Sequence, residues 1–192
     1  MRFILAIIFQ ILYTDFKFYI SITGRTHMNQ INELTKKMIA YYSGDPRRIQ
    51  HFLKVHSYAK LIGEEECLDS DTLFLLESAA LVHDIGIKPA EEKYGSCTGK
   101  LQEQEGPVPA RILLSALNYT PEAIERICYL VAHHHTYDPV DGMDYRILLE
   151  ADFLVNLQEE NSSVNSIKTA LRKIFTTKTG RDLCKMIFGI TD

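Results

Sequence analysis

The sequence predicts an all-α fold, and three observations predict it. Apolar residues recur every three or four positions through most of the chain from Met28 onward. Sustained two-residue alternation with turn signals on both sides is missing from that stretch. Two helix starts are written out in full: Asp45-Pro46 and Thr120-Pro121 each set a capping side chain before a proline at the first helical position, where the lost N–H costs nothing.

The elements follow in order. MNQINELTKKMIAYY opens at Met28 and carries Ile31, Leu34, Met38 and Ile39 on one side. The next helix starts at Pro46 and runs to about Glu66, with Ile49, Phe52, Leu53, Val55, Ala59 and Ile62 as its apolar positions. Residues 71–84, 107–117, 121–135, 143–160 and 164–175 repeat the pattern, and a last helix is predicted over 181–188. Residues 87–106 hold glycines, charges and little periodicity. A connection of that length in a compact domain predicts a functional loop, a lid or substrate loop over what precedes it.

Composition bounds the function. A chain of 192 residues with 46% hydrophobic and 24% charged residues suits one well-buried domain, expected over residues 28–192. A net charge of −4 and a pI near 6.0 exclude the polybasic surface that captures long nucleic acids, while a local basic pocket for one phosphorylated molecule stays open. Cys67, Cys97, Cys128 and Cys184 show no CxxC spacing, so they read as reduced packing residues of a cytoplasmic protein. Residues 1–27 begin like a signal peptide, yet no small-residue cleavage site follows and Asp15 and Lys17 cut the apolar run short of a span. They read as an upstream extension or apolar tail, with an uncleaved membrane anchor as the alternative.

Projection onto the helices singles out a set of polar residues on apolar faces. His83 lies over Ala80, Ala79 and Leu76, and His56 falls with Leu53, Phe52 and Ile49, whereas His51 is expected to point away among Arg47, Arg48 and Lys54. Asp152 shares a face with Leu149, Leu148, Tyr145 and Val155, and His134 lies over Val131, Leu130 and Ile127, with His135 beside it. A buried charge without a partner is costly, so imidazoles and carboxylates aimed inward from four helices predict a shared cation. Nitrogen and oxygen donors with no cysteine pair suit a divalent first-row metal such as Mn, Fe, Co, Ni or Zn, with open positions left for water and substrate.

KVHSYAKLIG, LESAALVHDIG and LEADFLVNL, in this order and each on a helix, resemble the HD superfamily of metal-dependent phosphohydrolases over about residues 28–160. The resemblance implies an orthogonal helical bundle, the metal ligands His56, His83, Asp84 and Asp152, and hydrolysis of phosphate esters, often of nucleotides. EGPVPARILL and VAHHHTYD stand where some relatives hold a second metal, which implies His134, His135 and Glu105 as its ligands, with Asp84 as the bridge; Glu105 departs from the histidine of that pattern. One ion is expected, and two are open. Asp84, His83 and Lys88 are the implied catalytic groups, with Lys88 and Arg111 as the phosphate-binding candidates. The expected partner is a small phosphorylated substrate, a nucleotide among the candidates, and a homodimer is open. Two other functions stay in play: an HD-type di-iron oxygenase, and a non-catalytic metal-binding interaction module.

Overall fold

The computed structural model describes residues 27–191. They form helices joined by short turns, with no strand among the described residues: α1 (27–41), α2 (Pro46–Glu65), α3 (Ser70–Val82), a 3-10 turn (His83–Gly86), α4 (Ile87–Tyr94), α5 (Gly99–Glu105), α6 (Pro107–Ala116), α7 (Pro121–Val131), α8 (Met143–Glu159), α9 (Val164–Lys173) and α10 (Lys178–Phe188). The all-α expectation stands. No helix among the described residues is long and apolar enough to cross a membrane. The readings made for residues 1–26 lie outside the described residues.

Side-chain caps explain the helix starts. Asp45 accepts from the Arg48 amide, Asp69 from those of Asp71 and Thr72, Thr120 from that of Ala123, Ser163 from that of Ser166 and Thr177 from that of Gly180. Each removes at least one of the donors that a helix N-terminus leaves unpaired.

At the centre lie α3 and α8. Leu76, Ala79, Ala80, Leu81 and Val82 of α3 are wholly buried, and α8 buries Tyr145, Ile147, Leu148, Ala151, Leu154 and Val155. Helices apolar on every side belong in the middle of a bundle. α2 packs against both, α7 closes on α3, and α6 lies on α7. Two polar ties fix α8. Arg126 of α7 forks onto Asp144 at 2.8 and 2.7 Å, and the buried Glu150 carboxylate accepts from the amides of Thr176 (2.6 Å) and Thr177 (2.9 Å), gathering the start of α10.

Three boundaries differ from the sequence reading. Residues 87–106 are two short helices and not a loop: α4 ends on Gly95 in a left-handed conformation at φ +66°, and Thr98 precedes α5. Runs of eight and seven residues are too short to declare a period, so the signal is weak. They do not form a lid, because α5 is seated against the doublet's turn. A Cβ on Gly86 would lie 2.8 Å from the Gly106 amide nitrogen and 2.9 Å from its Cα. Finally, α3 tightens into the 3-10 turn at His83, and α7 ends at Val131, so His83, Asp84, His134 and His135 sit just past helix ends and not within helices.

Candidate metal centre

Four elements deliver side chains to one point. His51 comes from α2, His83 and Asp84 from the 3-10 turn after α3, Asp152 from α8, and His134 and His135 from the turn after α7. His51 Nε2 lies 3.3 Å from His83 Nε2, 3.4 Å from Asp84 Oδ2 and 3.2 Å from Asp152 Oδ1. His83 Nε2 is 3.5 Å from both carboxylates. On the other side of Asp84, Oδ1 lies 3.5 Å from His134 Nε2. The two oxygens of one aspartate therefore face two donor groups, one built on His51 and His83 and one on His134 and His135.

The hydrogen bonds on the far side of each ring determine what the near side offers. His83 Nδ1 donates to the Ala80 carbonyl at 2.9 Å and His134 Nδ1 to the Val131 carbonyl at 2.7 Å. A carbonyl can only accept, so both rings carry a proton on Nδ1, and the neutral form of each turns its Nε2 lone pair to the cluster. His51 Nδ1 meets the Glu159 carboxylate at 3.2 Å, which fixes its Nε2 in the same sense. Two imidazole lone pairs 3.3 Å apart repel unless positive charge lies between them. His134 Nε2 and Asp152 Oδ1 are buried and without a hydrogen bond among the described residues. Asp152 Oδ1 is near two imidazoles but outside hydrogen-bond geometry with either, which is the disposition of a ligand and not of a paired acid.

These donors fit a divalent first-row cation. Bonds of about 2.1 Å at tetrahedral to octahedral angles set neighbouring ligand atoms roughly 3.0–3.4 Å apart. The 3.2–3.5 Å separations here are close to that spacing. Without a metal the cluster draws in protons instead. Burial would push the His83 imidazolium down, but Asp84 and Asp152 carry its pKa up to about 9. Burial would likewise raise both acids, and the facing imidazoles hold them well below the usual carboxylate range. His135 behaves differently: burial, with His134 beside it, pushes it down to about 4. The negative ends of α3 and α7 also point at the cluster and favour a cation there.

The cluster forms the floor of a cavity of about 570 Å³. Arg47, Arg48, Tyr137, Phe153 and Asn156 also line it. Tyr137 and Phe153 meet edge to face at 5.3 Å. Arg48 is held by Glu91 at 2.6 Å and Asp45 at 3.3 Å, whereas Arg47 has no ion-pair partner among the described residues.

Of the sequence-predicted site residues, His83, Asp84, Asp152, His134 and His135 are brought together. Four are not. His56 turns to the other flank of α2, where its Nε2 meets Glu77 at 2.9 Å; His51, read as pointing away, takes its place. Glu105 faces outward, and Lys93 and Tyr94 hold its carboxylate at 3.0 and 2.8 Å. The α5 residue turned toward the cluster is Gln102, one turn earlier, whose Oε1 is 3.1 Å from His135 Nε2. Lys88 leans over the Tyr41 ring at 5.2 Å, because its position on α4 directs it toward α1. Arg111 lies exposed on α6 in a bidentate pair with Glu125 of α7. Neither cation lines the cavity. Arg47 and Arg48 were legible only as an N-terminal charge pair one turn before His51, once His51 is known to face inward.

A comparison with curated proteins finds no match. Among solved structures, one named a predicted HD superfamily hydrolase, from an uncultured Thermotogales bacterium, is 23% identical with a TM-score of 0.58, covering 85% of this chain and 86% of that one. YpgQ from Bacillus subtilis is 16% identical with a TM-score of 0.56 over 84% of this chain and 89% of its own. Its selenomethionine form gives 17% and 0.60 over 84% and 87%. At these identities the likeness is one of fold. The HD domain matches residues 48–170, a stretch that contains every residue of the cluster. By that match, which takes in His51, the His83-Asp84 doublet and Asp152, the chain belongs to the HD domain family.

Proposed function

We propose that the protein is a metal-dependent phosphohydrolase acting on a small phosphate ester, with nucleotides as the favoured class. One observation carries the proposal: imidazole lone pairs from His51, His83 and His134 and the carboxylates of Asp84 and Asp152 converge on the floor of an open cavity. A divalent cation held by His51, His83, Asp84 and Asp152 would supply acidified water and charge withdrawal from a phosphoryl oxygen.

The chain's own groups account for the rest. Glu159 and the Ala80 carbonyl lock the His51 and His83 rings, so the donors need no reorganisation when substrate arrives. Asp84 is the more exposed acid, with 20% of its side chain accessible against 7% for Asp152. It is the carboxylate placed to accept a hydrogen bond from water on the cavity side. Arg47, with no acid partner among the described residues, suits the remaining phosphate charge. The Tyr137–Phe153 pair, set edge to face, offers aromatic surface for a base to pack against.

The test is metal analysis of the purified protein followed by phosphate release from nucleoside monophosphates and p-nitrophenyl phosphate, with and without oxygen. Metal-dependent release in both atmospheres is expected. Turnover only with oxygen would favour the oxygenase reading that the shared Asp84 leaves open, and bound metal with no turnover would favour an interaction module.

A further inference from the structure

Resting on the reading of the protein as a phosphohydrolase, we infer that Asn156 of α8 selects a nucleoside phosphate by hydrogen-bonding its sugar hydroxyls. Most polar side chains of the cavity already have partners. Arg48 is held by Glu91 at 2.6 Å, Glu159 by Lys54 at 2.5 Å, and the Gln102 amide donates to the Cys97 carbonyl at 2.8 Å. Asn156 lines the same cavity and is half-buried, yet its side-chain amide makes no hydrogen bond among the described residues. It is a neutral group with donors and acceptors both open to a ligand.

Its place on α8 decides which part of a ligand it meets. Asp152 belongs to the cluster, and Asn156 follows it by four residues, so the two share a helix face about 6 Å apart along the axis. A nucleoside phosphate with its phosphoryl group at the cluster carries its sugar hydroxyls only a few bonds further out, at a comparable distance. Phe153, between the two in sequence, also lines the cavity and meets Tyr137 edge to face, which leaves aromatic surface for the base. Charge points the same way. Arg47 is a cation and suits the phosphate, whereas a further phosphate reaching as deep along α8 as Asn156 would approach Glu160, a lining acid one more turn along. A hydroxyl is neutral, and it both donates and accepts, as the amide does.

The experiment compares the Mn(II)-loaded full chain with Asn156→Ala on adenosine monophosphate, on its dideoxy analogue, which lacks both sugar hydroxyls, and on p-nitrophenyl phosphate. Saturation-transfer NMR of adenosine and dideoxyadenosine gives a readout free of turnover. Wild type should prefer adenosine monophosphate to the dideoxy analogue by about 5-fold or more in kcat/KM, the size of one or two hydrogen bonds, and should bind adenosine in preference to dideoxyadenosine. Asn156→Ala should lose both preferences, its kcat/KM for adenosine monophosphate falling relative to that for p-nitrophenyl phosphate, which carries no sugar. A wild type indifferent to the hydroxyls, or a folded variant that still discriminates by them, would overturn the role of Asn156 and leave the hydrolase standing. Phosphate release from none of the three esters would overturn both. The wild-type preference alone decides the case if the variant does not fold.

Discussion

Replacing His51 and His56 separately by alanine puts the identity of the α2 ligand to a direct test. His51→Ala removes one of four converging donors and leaves Glu159, which held its Nδ1 at 3.2 Å, with Lys54 alone. Loss of an outer-shell partner already costs about 10–100-fold in metal affinity, so removal of a donor should cost at least about 100-fold, near 2.7 kcal/mol. His56→Ala touches a different part of the molecule. It removes the 2.9 Å bond to a Glu77 carboxylate that is 7% exposed and leaves Lys60 at 3.3 and 3.5 Å. A largely buried acid that loses one of two partners costs about 1–2 kcal/mol, or roughly 2–8 °C in Tm for a chain of this length. Titration of the apo proteins with Mn(II) by calorimetry, paired with thermal melts, separates the two. The expected outcome is an affinity loss confined to His51→Ala, and a melting shift at unchanged affinity for His56→Ala. Should His56→Ala lose the metal while His51→Ala binds as wild type does, the geometry argued for α2 is wrong.

Other perturbations bear on the same structure. Glu159→Gln should weaken Mn(II) binding about 10-fold or more through the His51 tautomer, read by the same titration. Gly86→Ala drives a Cβ into the Gly106 backbone at 2.8 Å, with no flexible side chain to yield, so denaturant melts should show a loss of about 2 kcal/mol or more together with lower metal content. Burial raises the Glu77 carboxyl, but His56 and Lys60 outweigh it and hold the folded-state pKa below its ordinary value. Glu77 therefore stabilises the fold above its unfolded pKa of about 4.3, and the contribution disappears as pH falls through the folded value. Urea melts of wild type and Glu77→Gln should differ at pH 6 and converge at lower pH; a constant gap would contradict this. Arg47→Ala should raise KM for phosphate esters about 10-fold at unchanged metal content, and an unchanged KM would remove Arg47 from the substrate site.

How far the site was legible in the sequence is clearest on α2. At about 100° per residue, His51 and His56 lie about 60° and 80° from the centre of the stripe made by Phe52, Val55, Ala59 and Ile62, on opposite sides. Periodicity gives the face, and a flank on either side of it is equally compatible with burial. Ile49 and Leu53 lie beyond His56 and are half-buried against the core, which pulls the apparent stripe to that flank. Only the tertiary fact that α2 lies on both α3 and α8 decides which flank meets Asp152. Glu105 was misplaced for a related reason: it stands where the resembled pattern has a histidine before Gly106-Pro107, but α5 turns the residue one turn back, Gln102, toward the cluster.

One physical cause separates His83 and His134, which were placed correctly, from His51, which was not. The last four carbonyls of a helix have no amide partner within it. His83 and His134 each donate Nδ1–H back to such a carbonyl three residues earlier, Ala80 in α3 and Val131 in α7. One hydrogen bond thereby satisfies the helix end, selects the tautomer and aims Nε2 away from the helix axis. For these two residues just past an apolar helix, the direction of the ring is thus already specified by the local sequence. His51 sits in the first turns of α2, where the preceding carbonyls are engaged by helical amides, so its Nδ1 must find an acceptor elsewhere. That acceptor is Glu159, 108 residues away on α8. The direction of His51 depends on a partner that no local pattern announces, and for that reason it emerged only when the helices were packed.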